Sequence, residues 1–321
     1  MPVPPLDPDV AARIAALGPT PSMRSRGIEA VRAGVEAMRA PESMPAMAQI
    51  EDLTIPGPYG PLELRVYRPT TDPAAPVVVH LHGGGLAMGS NASFEPLARN
   101  LAMASGATVV AVDYRLAPEW PAPVQVEESY AAAVWVSEHG RDLRVDPDRL
   151  AVLGDSAGGG LAAGVALLAR DRGRPALFAQ VLLYPGLDRD MGAASVVAMP
   201  DAPMLLREDI TYLHELADTG ATTPPDCYRI PAYAADLSGL PQAIVVTAEG
   251  DPIRDWGERY AARLRDARVQ TTLTRYPGVL HGFLMRPENS ARAMLAIAEI
   301  GALLRAKFGC VLPWSETARG E

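Results

Sequence analysis

The sequence predicts an α/β protein built on a mostly parallel sheet, and three observations carry that prediction. Strand-like and helix-like segments alternate from residue 76 onward. The strand-like ones are continuous apolar runs such as PVVVHLH (76–82) and QAIVVTAEG (242–250), as expected for strands covered on both faces. The 321 residues, 48% hydrophobic and 21% charged, hold ample material for a large core. Strand–helix–strand units imply right-handed crossovers and parallel neighbours.

Taken in order, helical patterns fall near 9–17 and 26–39, separated by the Pro-bordered LGPTPS. QIEDLTI (49–55) reads as a strand, and LELRVY (62–67) alternates like a half-buried one, with PYG (58–60) as the turn between them. After the run at 76–82, FEPLARNLAMAS (94–105) is helical and ATVVAVDY (107–114) is strand. A helix is expected near 124–139, a buried strand at RLAVLG (149–154) and a helix at LAAGVALLAR (161–170). AQVLLYP (179–185) and QAIVVTAEG (242–250) are strands, ERYAARLRDA (258–267) is helix, TTLTRYP (271–277) is strand, and 288–307 is the last helix. Residues 186–240 break the alternation. They are too long for a simple connection and carry the helical pattern MLLREDITYLHELA (204–217). An insertion above the sheet explains them, and the N-terminal helices can join it as one cap. The expected division is 1–45 for the N-terminal cap helices, 46–189 and 226–321 for the catalytic body, and 190–225 for the cap insertion.

Composition excludes several classes. A net charge of −9 argues against nucleic acid or an anionic membrane as partner. Neither Cys227 nor Cys310 belongs to a Cys/His cluster, so no disulfide framework or zinc site is expected. The N-terminus MPVPPLDPDV lacks the basic start and apolar run of a secretory signal, and no apolar run reaches membrane-spanning length. A soluble, cytoplasmic protein without stable membrane insertion is expected. No G-x-x-x-x-G-K-[ST] is present.

The chemistry concentrates in Gly154-Asp155-Ser156-Ala157-Gly158, a G-x-S-x-G string between a buried strand and a helix. Such an elbow needs serine on a strained turn at the sheet's carboxyl edge, with small neighbours that let backbone approach. The helix start behind it offers free N–H groups to a developing oxyanion. A second signal is His82-Gly83-Gly84-Gly85 directly after a buried strand. Amides of Gly83 and Gly84, with that of Ala157, are the expected oxyanion donors. His80 and His82 share a strand face, but no further cluster nearby completes a metal site.

A serine needs a base. Among the five histidines, His214 and His281 follow Ser156 in sequence; His281, in PGVLHGF just past the last strand, is the expected base, and His214 falls in the insertion. The group orienting the imidazole should follow a late strand. Asp251 is the first choice, with Asp255 and Asp188 as alternatives.

HGGG (82–85), DYRLAPE (113–119), GDSAGG (154–159), AEGDPIRD (248–255) and HGF (281–283) together resemble the hormone-sensitive-lipase-like carboxylesterases of the α/β-hydrolase fold. The resemblance implies a mostly parallel central sheet flanked by helices, with a helical cap. It implies Ser156 as nucleophile, Asp251 as acid and His281 as base, with Gly83, Gly84 and Ala157 as the oxyanion hole. It also implies a homodimer through the edge strand near 271–277. Gly160 stands where the family often has Asn, and Trp120 where it often has His. Asp113 and Arg115 are expected in buried charge pairs behind the oxyanion loop.

The expected reaction is hydrolysis of short-to-medium acyl esters through an acyl-enzyme, with no metal or organic cofactor. Amide, carbamate or lactone hydrolysis would use the same groups, and a non-catalytic ligand receptor is the more distant rival. Pocket walls are expected from Phe94, Trp120, Tyr184, Leu205, Leu206, Ile253 and Phe283. Met23, Met38, Met44, Met47, Met88, Met191, Met199 and Met204 fall in cap or rim segments, as an adaptable apolar mouth or as filling between cap and body.

Overall fold

Strand β3 (Ala75–Leu81) sends Val77, Val79 and Leu81 into one apolar layer and Val78 into another, which is the period-two alternation of a strand covered on both faces. The computed structural model describes residues 4–19, 21–38 and 44–309; Cys310 and parts of the expected N-terminal cap piece (1–3, 20, 39–43) lie outside them. Around β3 the chain builds an 8-stranded sheet in the order β1-β2-β4-β3-β5-β6-β7-β8. The other strands are β1 (Gln49–Gly57), β2 (Gly60–Arg68), β4 (Thr108–Asp113), β5 (Val145–Asp155), β6 (Ala179–Leu183), β7 (Gln242–Gly250) and β8 (Thr271–Leu280). β1 and β2 form an antiparallel hairpin, β2 pairs antiparallel with β4, and every later pairing is parallel. β8 pairs with β7 and forms one edge of the sheet.

Helices α5 (Val124–His139), α6 (Ala157–Arg172) and α9 (Arg254–Asp266) cover one face, burying Val136, Leu167 and Tyr260. Helices α4 (Glu95–Ser105) and α10 (Ala291–Gly309) cover the other, burying Leu97, Leu101, Ile300 and Leu304. Each such side chain contributes about 1.5–3 kcal/mol on leaving water. The chain moves from β3 to β4 on one side, then returns to β5 on the other. The carboxyl ends of β3 and β5 therefore flank a topological switch point, where open α/β sheets place ligands.

Above that edge sits a third apolar cluster. It joins Val31 of α3 (Ile28–Glu36), Val196 of α7 (Ala194–Ala198), and Ile210 and Leu213 of α8 (Arg207–Asp218) to Met88 and Trp256 of the body. Helix α2 (Met23–Arg26) docks on α8 through Met23 N–H to Asp209 Oδ1 at 2.6 Å. The expected helix over 26–39 is thus broken at Gly27, whose φ of 76° separates α2 from α3. Helix α1 (Pro8–Leu17) does not join this cluster. Asp7 at its start donates N–H to Gly278 O at 2.9 Å and pairs with Arg292 at 2.9 Å, so α1 lies against β8 and α10.

Two further differences have physical reasons. Helix α6 begins at Ala157, not 161, although Gly158, Gly159 and Gly160 are poor helix formers. A Cβ on Gly158 would stand 1.9 Å from Leu81 O, so tight packing against β3 overrides propensity. Arg115, itself half-buried, pairs with the buried Glu128, whereas Asp113 accepts the Asn91 N–H at 3.2 Å.

Candidate active site

Ser156 lies between β5 and α6 at φ 54° and ψ −120°, a strained conformation for a residue with a side chain. Its N–H donates to Leu183 O at 2.9 Å, which anchors the turn to β6. Gly154 makes the turn possible, because a Cβ there would sit 1.9 Å from Gly158 O. The hydroxyl is thereby lifted above the carboxyl edge of the sheet, and it meets His281 Nε2 at 2.8 Å.

His281 follows β8. Its Nδ1 lies 2.8 Å from Asp251 Oδ2, and Asp251 is fully buried past the end of β7. A carboxylate only accepts, so Nδ1 carries the proton and Nε2 is left to accept from the serine hydroxyl. Asp251 Oδ1 accepts the Ile253 N–H at 2.9 Å, which fixes the carboxylate's orientation. The arrangement can pass a proton from Ser156 Oγ to the imidazole while Asp251 stabilises the charge that forms.

The alternatives have other partners. Asp255 accepts the Ser195 N–H at 2.8 Å and pairs with Arg254 at 2.9 Å. Asp188 accepts the Arg189 N–H at 2.7 Å and faces Arg259 at 3.3 Å. His214 stacks on Trp256 with ring centres 6.0 Å apart, and burial together with Arg189 pulls its pKa down to about 4.

In the glycine strap after β3 the expected donors differ in their surroundings. Gly83 is buried and its N–H is engaged by Asp155 Oδ1 at 3.0 Å. Gly84, Gly85 and Ala157 are the partly open positions, and Gly85 and Ala157 line the cavity with Ser156. Gly85, the third glycine of the run, has a φ of 63°. Strap carbonyls are held on every side. Tyr114 OH donates to His82 O at 2.7 Å, Ala87 and Met88 N–H reach Gly84 O at 3.0 Å, and Arg32 Nε reaches Ala87 O at 2.7 Å.

His82 stacks on Tyr114 and Phe94, with ring centres 4.3 and 5.3 Å away, and its Nδ1 meets Gly83 O at 2.7 Å. Complete burial pulls its pKa down to about 4 from 6.5. The unfolded chain then binds the extra proton between those values, so stability falls as pH drops from about 6.5 to about 4, by at most on the order of 3 kcal/mol for this group. In thermal melts at pH 7 and pH 4, His82→Phe is expected to lose less stability than the unsubstituted protein. An equal loss in both would contradict a buried neutral imidazole.

Ser156 opens into a cavity with ≈ 700 Å³ of empty space, counting its open mouth. Leu86, Leu161, Leu187, Ile210, Leu213 and Trp256 give it apolar walls, and Asp188, Arg189, His214 and Arg229 add polar groups to the lining. Arg189 and Arg229 both bind Asp218 there. Of the expected wall residues, Leu205 and Ile253 are in the lining. Phe94 is buried under the strap against His82, and Tyr184 and Phe283 pack together beside His281. Leu206 caps the start of α8, and Trp120 is 41% exposed beneath the Arg115 guanidinium. The methionines Met23, Met88 and Met191 pack in the cluster that joins α3, α7 and α8 to the body, and among the described residues no methionine lines the cavity. Ile210, Leu213 and Ala217 were legible as a helical spacing within MLLREDITYLHELA; Leu187 and Trp256 carried no local signal.

A family described as having the alpha/beta hydrolase fold matches residues 78–285. The carboxylesterase NlhH of Mycobacterium tuberculosis is 40% identical over 281 residues, covering 85% of this chain and 86% of that protein. An arylesterase of Saccharolobus solfataricus is 37% identical over 257 residues, 76% of this chain and 79% of its own length. The solved structure of a hyperthermophilic esterase from Pyrobaculum calidifontis superposes with a TM-score of 0.89 at 36% identity, covering 95% of this chain and 100% of that one. The chain belongs to the α/β-hydrolase family, in its branch of hormone-sensitive-lipase-like carboxylesterases. Among the described residues, no helix is long and apolar enough to cross a membrane.

Proposed function

We propose that this enzyme hydrolyses carboxylic esters of short-to-medium acyl chains through a covalent acyl-enzyme. The observation that carries the reading is the unbroken line from Ser156 Oγ to His281 to Asp251, 2.8 Å at each step, at the floor of an apolar cavity. Ser156 Oγ attacks the ester carbonyl and gives its proton to His281 Nε2. The oxyanion is held by the amides of Gly84, Gly85 and Ala157. Collapse of the tetrahedral species breaks the bond to the alcohol oxygen, which leaves with the proton from Nε2. Water, deprotonated by the same nitrogen, then attacks the acyl carbonyl and releases the acid and free Ser156.

Residues 1–45 and 190–225 are read as the cap that closes the cavity. The exception is α1, whose place beside β8 and α10 suits a brace for the body. The limited volume within walls that include Ile210 and Leu213 would set the chain-length limit. Across p-nitrophenyl esters from acetate to palmitate, kcat/KM is expected to peak at or below octanoate and to collapse for palmitate. A peak at palmitate would refute the acyl-length assignment, and hydrolysis of anilides but not esters would move the reading to an amidase.

A further inference from the structure

Asp155 has no part in the proton transfers, yet it is 2% exposed and sits directly before Ser156. Burying a carboxylate is costly unless its charge is answered by donors. Its Oδ1 accepts the Gly83 N–H at 3.0 Å, and His80 Nε2, itself 1% exposed, lies 3.5 Å from the same oxygen. Gly83 has no room for a side chain, since a Cβ there would stand 2.5 Å from Asp155 Oδ2. The contact is thus built from both sides: β5 delivers the carboxylate, and the first strap residue after His82 delivers a bare peptide.

The consequence lies one residue further on. The bond to Asp155 turns the Gly83 amide into the body of the protein. With the His82 carbonyl fixed by Tyr114 and the Gly84 carbonyl by Ala87 and Met88, the next amides, Gly84 and Gly85, are left for the site. A charge-assisted hydrogen bond is shorter and about twice as strong as a neutral one, which suits a group whose task is to fix a loop of glycines.

We propose that Asp155 is a positioning residue for catalysis: by holding the Gly83 amide it sets the Gly84 and Gly85 amides at the geometry the oxyanion needs. The catalytic half of this inference rests on the ester-hydrolase reading above.

The test compares Asp155→Ala, Asp155→Ser and Asp155→Asn with the unsubstituted enzyme, using kcat and KM on p-nitrophenyl butyrate and amide hydrogen exchange of the 82–88 segment. Alanine leaves the Gly83 amide without an acceptor, and serine is too short to reach it. Both are expected to lower kcat about 10²-fold, the scale of a lost oxyanion donor, with KM within about twofold. Exchange across 82–88 should rise in both while exchange in β6 and β7 stays unchanged. Asparagine keeps an acceptor oxygen and should restore kcat to within about fivefold. An unchanged kcat in the folded serine variant, or unchanged exchange at 82–88, would overturn the proposal. So would an asparagine variant as slow as alanine with strap exchange at the wild-type level. The exchange readout needs no substrate. Should the unsubstituted enzyme cleave no ester, raised exchange at 82–88 would still support the Asp155 contact, and only the reaction reading would fall.

Discussion

Ser156→Ala is expected to lower ester turnover about a millionfold while leaving the folded protein intact, the scale set by removal of the nucleophile in serine hydrolases. The substitution deletes Oγ and nothing else. The Ser156 N–H to Leu183 O bond and the Gly186 N–H to Ser156 O bond, 2.9 and 2.8 Å, belong to the backbone and survive. Alanine at the same φ bears no more strain than serine, so the melting temperature should move by no more than a few degrees. What remains is the proposed oxyanion site and an apolar cavity with no atom to acylate. Some catalysis over water survives from those alone, about 10³–10⁴-fold in the enzyme where it was measured. Two measurements are decisive together: turnover of p-nitrophenyl acetate, and labelling by a fluorophosphonate that captures activated serines. Loss of both with an unchanged melt assigns Ser156. Persistent labelling at another serine would dismantle the site.

Much of this was legible beforehand because the relevant signals are local. A continuous apolar run is visible in seven residues, and β3 and β7 were readable for that reason. G-x-S-x-G and HGGG are also local, since each is a backbone constraint written in adjacent glycines. What sequence could not fix was the use to which each amide is put. Gly83 and Gly84 look alike in the string, and only Asp155, 72 positions away, distinguishes them. Of the expected pocket walls, Leu205 and Ile253 line the cavity, but others do not. Phe94 and Tyr184 are large, apolar and close to the motifs, but they pack under the site rather than around it, because their strand and helix faces point into the layer between sheet, α4 and α10. Trp120 lies on the outer side of its loop, where the Arg115 guanidinium covers it 4.8 Å from the ring centre. Residues that line the cavity come from the loops after β3, β6 and β7, from α6 and α9, and from the inserted α8, and no single stretch announces that convergence.

The strap also explains why distant helices matter to the site. Arg32 of α3 donates to Ala87 O at 2.7 Å and to Ala117 O at 2.8 Å, and it grips Glu119 through both carboxylate oxygens. Its guanidinium thereby ties the turn after Gly85 to the 113–119 loop. That contact holds Glu119 well below the usual carboxylate range, at about 2, so it stays charged through the whole working range of pH. Leu213 of α8 rests on Gly85 so closely that a Cβ there would meet its side chain at 2.5 Å. The glycine strap is therefore clamped from outside by α3 and α8, and from inside by Asp155.

Asp251→Asn is expected to cost about 10⁴ in kcat with little change in KM, the scale seen when a triad aspartate is made an amide elsewhere. The argument turns on proton bookkeeping rather than bulk. The side chains are nearly isosteric, so Ile253 N–H can still reach the retained oxygen, now 2.9 Å away. What changes is the atom facing His281 Nδ1 at 2.8 Å. With the amide nitrogen turned to the ring, Nδ1 must become the acceptor and Nε2 takes the proton. A protonated Nε2 cannot receive the proton of Ser156, and the imidazolium that would form has lost its counter-charge in a fully buried place. Substrate still enters, because Asp251 does not itself line the cavity. Asp255→Asn is the control: its carboxylate serves Ser195 and Arg254, so kcat should stay within about twofold. Comparable losses from both substitutions would mean that the decline reflects damage to the loop after β7, and Asp251 would lose its assigned place. A ten-thousandfold loss confined to Asp251→Asn, at an unchanged KM, ties the tautomer of His281 to the rate.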